Sequence, residues 1–158
     1  MINEIITFAV AALPLSELRG AIPLAILKFG FSPTKALFIS FLGNILPVLP
    51  LLIGFDKVSD YLSHRFHWFN RFFSWLFERT RRKHGDHFHY WGDLALLIFV
   101  AIPLPLTGAY SGAVAAFVFG LPKKHSFWSI VLGVLIAGII VTALTIFGET
   151  IFKQLFLL

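Results

Sequence analysis

The sequence predicts an all-α integral membrane protein. Two inverted repeats, each a re-entrant helical hairpin plus a transmembrane helix, are joined by an amphipathic cytoplasmic interfacial helix. Three observations lead to that expectation. Of 158 residues, 58% are hydrophobic and only 13% are charged, whereas a soluble domain usually carries about 25% charged residues. The mean hydropathy of +0.84 leaves no polar shell to face water. Two apolar stretches run unbroken for the thickness of a bilayer, while two others are interrupted in mid-course by Pro, Gly and polar residues.

Composition also excludes. The length allows about four to six hydrophobic segments of roughly 20 residues and no large soluble domain. With no cysteine, a disulfide scaffold, a zinc ribbon and thiol catalysis are ruled out. The formal charge of +5 reads as a topology signal beside lipid rather than a nucleic-acid surface. No phosphate-loop, zinc-protease, nucleophile-elbow or dinucleotide pattern is present, so the expectation is that the chain is not an enzyme.

At the N-terminus, Met1-Ile2-Asn3-Glu4 carries an acid and no Lys or Arg. It therefore lacks the positive region of a signal peptide, and Ala9-Val10-Ala11 is read as part of a retained apolar segment. Residues 5–15 are apolar, Ser16-Glu17-Leu18-Arg19-Gly20 interrupts, and residues 21–27 are apolar again. Residues 36–54 form an uncharged run that holds Asn44, Pro47 and Pro50. Residues 56–93 hold most of the charge. Residues 94–106 are apolar, Thr107-Gly108-Ala109-Tyr110-Ser111-Gly112 interrupts, and residues 113–119 resume. The last full-length run is 126–148, ending at Glu149.

Eleven to thirteen helical residues rise about 16–20 Å, short of a hydrocarbon core of roughly 30 Å. Each half of an interrupted stretch thus stops inside the bilayer, where non-helical backbone survives only if buried in protein or lining a watery cavity. Two re-entrant hairpins satisfy that condition. The halves of the chain are also alike. Leu18-Arg19-Gly20-Ala21 leads to Gly30-Phe31, Lys35 and Gly43, and Leu106-Thr107-Gly108-Ala109 leads to Gly120-Leu121, Lys123, Lys124 and Gly133, with the glycine pairs equally spaced. One hairpin plus one crossing per copy inverts the second copy, the plan of many secondary transporters. Repeat one is then 1–55, the cytoplasmic segment 56–93 and repeat two 94–158, all in a single membrane domain.

On this plan one face carries Lys57, Arg65, Arg71, Arg79, Arg81, Arg82, Lys83, Lys123 and Lys124, and the other only Lys28, Lys35 and Lys153. The positive-inside bias makes the first face cytoplasmic and puts both termini outside a multi-pass cytoplasmic membrane protein. Four ordinary spanning helices, two of them kinked, would instead put the termini inside. Within 56–93, Val58, Leu62, Phe66, Phe69, Phe73 and Leu76 recur at helical spacing opposite Asp60, His64, His67, Arg71 and Glu78. That pattern, with Trp68 and Trp75, is an amphipathic helix for the headgroup layer, and the basic run from Arg79 to Lys83 meets anionic lipid.

The candidate substrate- or ion-binding residues are Glu17, Arg19, Gly20, Pro23, Asn44, Pro103, Pro105, Thr107, Gly108 and Tyr110. A charge at helix centre costs about 2.5–3.5 kcal/mol, so intramembrane charge is a functional hypothesis by default. Arg19 suits a phosphate or carboxylate, and Glu17 can accept a proton. The bland reading is an ion bridge that locks the hairpin. Around Pro103, freed carbonyls, amides and hydroxyls can hold an ion or an anionic head group, or merely mark a Pro kink. Asn44 alone is better explained by an interhelical hydrogen bond. His84, His87 and His89 with Asp86 lack the spacing of a known zinc site, and a solvated loop is preferred, so no metal is expected.

Four motifs in order then carry a family resemblance. They are Glu17-Leu18-Arg19-Gly20-Ala21-Ile22-Pro23, Gly43-Asn44-Ile45-Leu46-Pro47-Val48, Ala101-Ile102-Pro103-Leu104-Pro105-Leu106-Thr107-Gly108-Ala109, and Gly133-Val134-Leu135-Ile136-Ala137-Gly138-Ile139. Nearly the whole chain, apart from the aromatic, His-rich segment 61–91, resembles the small multi-drug export family and, more distantly, the DedA/VTT superfamily. The first resemblance implies drug export. The second implies two re-entrant hairpins face to face and the flipping of lipids, including polyprenyl phosphates, although the second break here lacks the ionisable residues DedA-type proteins carry. The expected function is a transporter or flippase for an amphipathic small molecule or lipid phosphate. Its partners are membrane lipids and that substrate, not nucleic acid, with a homodimer as a candidate assembly. No cofactor is expected beyond protons as the candidate coupling ion. The alternative is a non-transporting membrane scaffold that organises lipid.

Overall fold

Prolines and glycines set where helices stop in this chain. A computed structural model describes residues 1–65, 86–104 and 107–156. Its helices are α1 (Ile2–Ala11), α2 (Glu17–Pro23), α3 (Pro33–Ile45), α4 (Val48–Arg65), α5 (Asp86–Ala101), α6 (Ala109–Val118) and α7 (Lys123–Phe156). No strand occurs among the described residues.

Helix α1 has 10 residues and spans only about 15 Å. Residues 12–16, with Pro14 in their midst, break the helix before α2 begins. Pro23 has no amide to offer the Arg19 carbonyl, and the next turn, Leu24–Lys28, widens into a π-helix. Gly30, at φ 66°, ends it in the left-handed region, with the Phe31 amide bonded to the Ala25 carbonyl at 3.0 Å. Ser32 then caps α3 through the Lys35 amide, and Pro33 occupies its first turn. Pro47 separates α3 from α4 because it cannot bond the Gly43 carbonyl. Even so, Pro33–Phe55 forms one apolar stretch of 23 residues long enough to cross a bilayer.

The second half repeats this order. Helix α5 stops at Ala101, residues 102–104 and 107–108 are non-helical, and α6 follows. Gly120, at φ 63°, closes α6 as Gly30 closes the first segment, and the Leu121 amide bonds the Ala116 carbonyl at 2.9 Å. Helix α7 then runs 34 residues, and its Lys123–Ile151 stretch is the second candidate span.

Two boundaries differ from the sequence expectation. Glu17 to Gly20 form the first turn of α2 instead of a break, and Tyr110, Ser111 and Gly112 lie in α6. The prolines explain both shifts. Pro14 and Pro103 drive the residues before them out of helical geometry, and the helix restarts once they are passed. Helix α5 also starts at Asp86, ahead of the expected 94. The amphipathic helix expected from Val58 to Leu76 begins as a continuation of α4, and from Phe66 onward it lies outside the described residues.

Alanines are interspersed in a core that also buries Leu18, Ile22, Val48, Val100, Ile130 and Val134. Ala21, Ala25, Ala36, Ala109 and Ala113 are fully buried, while Leu144 is 61% and Phe147 67% exposed. Small side chains at helix contacts let backbones approach closely, as helices do where lipid is the solvent. Helix α1 packs on α2 and α3, and α5 packs on α6 and α7. Across the halves, α2 packs on α7 and α6 on α4.

Candidate functional site

Glu17 opens α2 with φ 47°, a left-handed backbone that is costly for a side chain with a Cβ. The residue is only 7% exposed. Its carboxylate reaches across to the first turn of α6, where Oε1 accepts from the Tyr110 amide at 3.5 Å. A helix N-terminus, with its unpaired amides, is a favourable place for a carboxylate. Gly108 caps that helix, and a Cβ on Gly108 would fall within the Glu17 carboxylate. The close approach of these two residues requires glycine.

Arg19, about half a turn further along α2, takes a different partner. Its Nη2 donates to Thr107 Oγ1 at 3.1 Å. Thr107 in turn sits in a folded knot of backbone, with Oγ1 2.7 Å from the Ile102 carbonyl and 2.9 Å from that of Leu104. The Tyr110 hydroxyl donates to the Ala12 carbonyl in the first break. Ser111 Oγ accepts from the Gly108 amide at 2.8 Å and completes the turn into α6. Three cross-links thus join the two halves of the chain. Glu17 and Arg19 each bind the opposite half.

A cleft of about 560 Å³ lies where the breaks meet. Glu17, Arg19, Gly20, Pro103, Thr107 and Tyr110 line it, together with Pro14, Leu15, Ser16 and Ser111. Gly108 and Asn44 lie behind it, in a slit bounded also by Glu17 and Arg19. Pro23 lies on a separate groove that Arg19 also borders. Pro105 falls outside the described residues. The Asn44 side chain is 1% exposed, and neither amide atom has a partner, so the interhelical bond expected of it is not made. Sequence reading missed Pro14 and Leu15, of which Pro14 carried a visible signal as a helix breaker. The Ala12 carbonyl had none, because any residue supplies one.

His84 lies outside the described residues, and nothing is described of the His87 and His89 side chains. Among the described residues no three His, Cys, Asp or Glu side chains gather as metal ligands. Midway along α5, Asp93 Oδ2 lies 3.0 Å from His125 Nδ1 in the first turn of α7 and ties the two helices together.

A family model described as "putative small multi-drug export protein" matches residues 17–140. The chain belongs to the small multi-drug export protein family. The matched segment begins at Glu17 and includes every described candidate residue, from Glu17 to Tyr110. The cleft walls Pro14, Leu15 and Ser16 stand just ahead of it. Family membership and two apolar helices of bilayer length indicate a membrane location. No curated protein and no solved structure matches the chain.

Proposed function

We propose that this protein is a small transporter that moves an amphipathic, anionic substrate across the cytoplasmic membrane. Transport takes place at the cleft where the two broken helices meet. The observation that carries this reading is Arg19. It is a guanidinium at the wall of a roughly 560 Å³ cleft, held by Thr107 of the opposite half. Holding a cation at membrane depth is costly, and a guanidinium presents a planar fork to phosphate or carboxylate oxygens. The volume is within the range of small-molecule pockets. Glu17, on the same wall, is the candidate proton carrier, and no resident cofactor or enzymatic step is part of the proposal.

The same reading takes 1–55 and 94–158 as inverted repeats, each a re-entrant hairpin with a crossing helix, in a DedA-like arrangement. Support comes from equivalent glycines. A Cβ on Gly43 would meet the Phe8 carbonyl of α1, and one on Gly133 would come within 2.9 Å of the Leu97 carbonyl of α5. Each long helix therefore holds the first helix of its own half by the same close approach. Arg19 and Thr107 are matched positions of the two copies, and they touch each other. Contact between equivalent positions is what a twofold axis through the site produces.

Ligand-dependent melting of the purified protein tests the substrate class. A ligand at about 100 times its Kd stabilises by roughly 2.7 kcal/mol. Stabilisation by a polyprenyl phosphate, lost in Arg19→Ala, is the expected result and identifies a lipid-carrier flippase. Stabilisation only by a lipophilic cation, lost in Glu17→Gln, would make drug export the function and reject the anionic substrate. A response to neither would remove the transport reading at this cleft.

A further inference from the structure

Asn44, on α3, is buried and polar, and the contacts around the cleft leave both ends of its amide unused. Leaving both ends of an amide unbonded away from water is costly, and folded proteins seldom do it. The slit that Asn44 borders has no room for a water molecule, so a partner has to come from the walls. Those walls are apolar on α5 and α7, at Val100, Val134 and Ala137, and carry Glu17 and Arg19 on α2. The Glu17 carboxylate packs against Gly108, which lines the same slit.

Donor and acceptor counts decide which form of Glu17 suits the amide. Both oxygens of the ionised carboxylate only accept, and the α6 amides supply donors, that of Tyr110 at 3.5 Å. A carboxylate could also take a hydrogen from Nδ2, yet its lone pairs would then face those of Oδ1. A protonated carboxyl gains an O–H that neither the amides nor the Arg19 guanidinium can accept. Asn44 Oδ1 is the only acceptor among the other side chains of the slit. Carboxylic acid and primary amide also match as a pair, O–H to Oδ1 and Nδ2–H back to the second carboxyl oxygen. Both unpartnered atoms of Asn44 are then satisfied at once.

We propose that Asn44 is the seat of the protonated Glu17 side chain. The ionised carboxylate rests on the α6 amides; on taking up a proton it turns to Asn44 and gives up the link between α2 and α6. Asn44 is thus a positioning residue that couples proton uptake to release of one cross-link between the halves. The inference rests on the export reading, in which Glu17 carries the proton, and adds where the carboxyl goes and what its movement frees. Besides Glu17, the ionisable groups that border the cleft and the slit are Arg19 on α2 and Tyr110 on α6. Glu149 of α7 borders the separate groove behind Arg19, and Lys35 of α3 is held by Glu4 of α1.

Infrared spectra of the full chain in dodecyl maltoside, a detergent without a carbonyl, follow the carboxylic acid band of Glu17 as the difference from Glu17→Gln. In the unmodified protein that band should grow as the pH falls. Asn44→Leu should lower the pH at which the band is half-developed by about one unit, a tenfold change in the protonation equilibrium. Loss of a mere donor to the carboxylate, or a drier slit, would raise that pH instead. Ser40→Ala removes another buried, unpartnered side chain one turn earlier on α3 and should leave it unchanged. Asn44→Ala serves if Asn44→Leu does not fold. An unchanged or raised pH in a folded Asn44 variant, or an equal fall in Ser40→Ala, overturns the seat and leaves Glu17 as the proton carrier. Absence of a Glu17 band at every pH overturns the proton carrier and the seat together. The Arg19-dependent ligand response decides the anionic substrate separately.

Discussion

At the scale of single residues, the contact between Glu17 and Gly108 decides how the two halves meet. A left-handed Glu17 backbone and a missing Cβ at residue 108 both serve one carboxylate placed on the α6 N-terminus. Gly108→Ala should therefore destabilise by about 1–3 kcal/mol, the usual cost of forcing an extra methyl into packed space. In a Glu17→Ala background the same change should cost only a few tenths, a coupling of about 1 kcal/mol or more. Denaturant titration of the four variants measures it, and additive costs would mean that the carboxylate is not the clashing partner. Glu17 and Arg19 were legible in the sequence because charge inside an apolar run stands out. Gly108 was legible only as a break. Its need to be glycine comes from a side chain in the other half, and no local pattern records that.

A second residue pair sits outside the site. Glu4 lies 2.5 Å from Lys35 Nζ and ties the start of α1 to the start of α3. The Lys35 ammonium, by hydrogen bond and charge, holds the Glu4 carboxyl below its ordinary value of 4.5. A carboxyl depressed in the folded state adds stability above its unfolded value and loses it as the pH falls through the folded one. Melting of the unmodified protein should consequently fall more steeply below pH 4.5 than that of Lys35→Met, by the small amount an exposed pair allows. Parallel pH profiles would show that the link contributes nothing.

At the scale of elements, glycine spacing reports helix contact. Gly30 to Gly43 and Gly120 to Gly133 were equal in the sequence, and in the structure each pair does the same two things. The first glycine ends a helix in the left-handed region, and the second receives a helix from its own half. Gly43→Ala would press a methyl on the Phe8 carbonyl, and Gly133→Ala would press one on Val100 and the Leu97 carbonyl. Backbone cannot rotate away as a side chain can, so each should cost about 1–3 kcal/mol. Gly54, in α4, has nothing within 4 Å of a built Cβ, and Gly54→Ala should stabilise by up to about 1 kcal/mol through helix propensity. Equal effects at all three positions in thermal or denaturant unfolding would deny the close approaches. The breaks were legible as regions but misplaced by several residues. Hydropathy marks where polar side chains fall, whereas the helix obeys the prolines at 14 and 103.

At the scale of the whole molecule, both breaks end on one shared site, and that constrains how the chain threads the bilayer. Helix α1 and the segment after it are each too short to cross a core of about 30 Å. If they descend and return on one side, the termini and Lys124 lie on opposite faces of the membrane. If instead each broken stretch crosses as a kinked helix, the two still lie on opposite faces, but with both assignments exchanged. On the positive-inside bias the 56–93 segment is expected on the cytoplasmic face in either case, because nine of the basic side chains lie in it or in the 120–125 turn. Absolute accessibility therefore separates the two threadings. The chain has no cysteine, so single cysteines at Asn3 and Lys124 report without a background. In intact cells, an impermeant maleimide should label Asn3→Cys directly and reach Lys124→Cys only after the membrane is opened. The reverse pattern would mean that α1 and α2 cross the bilayer together, and Arg19 would then stand in a kinked crossing helix rather than at the tip of a re-entrant one.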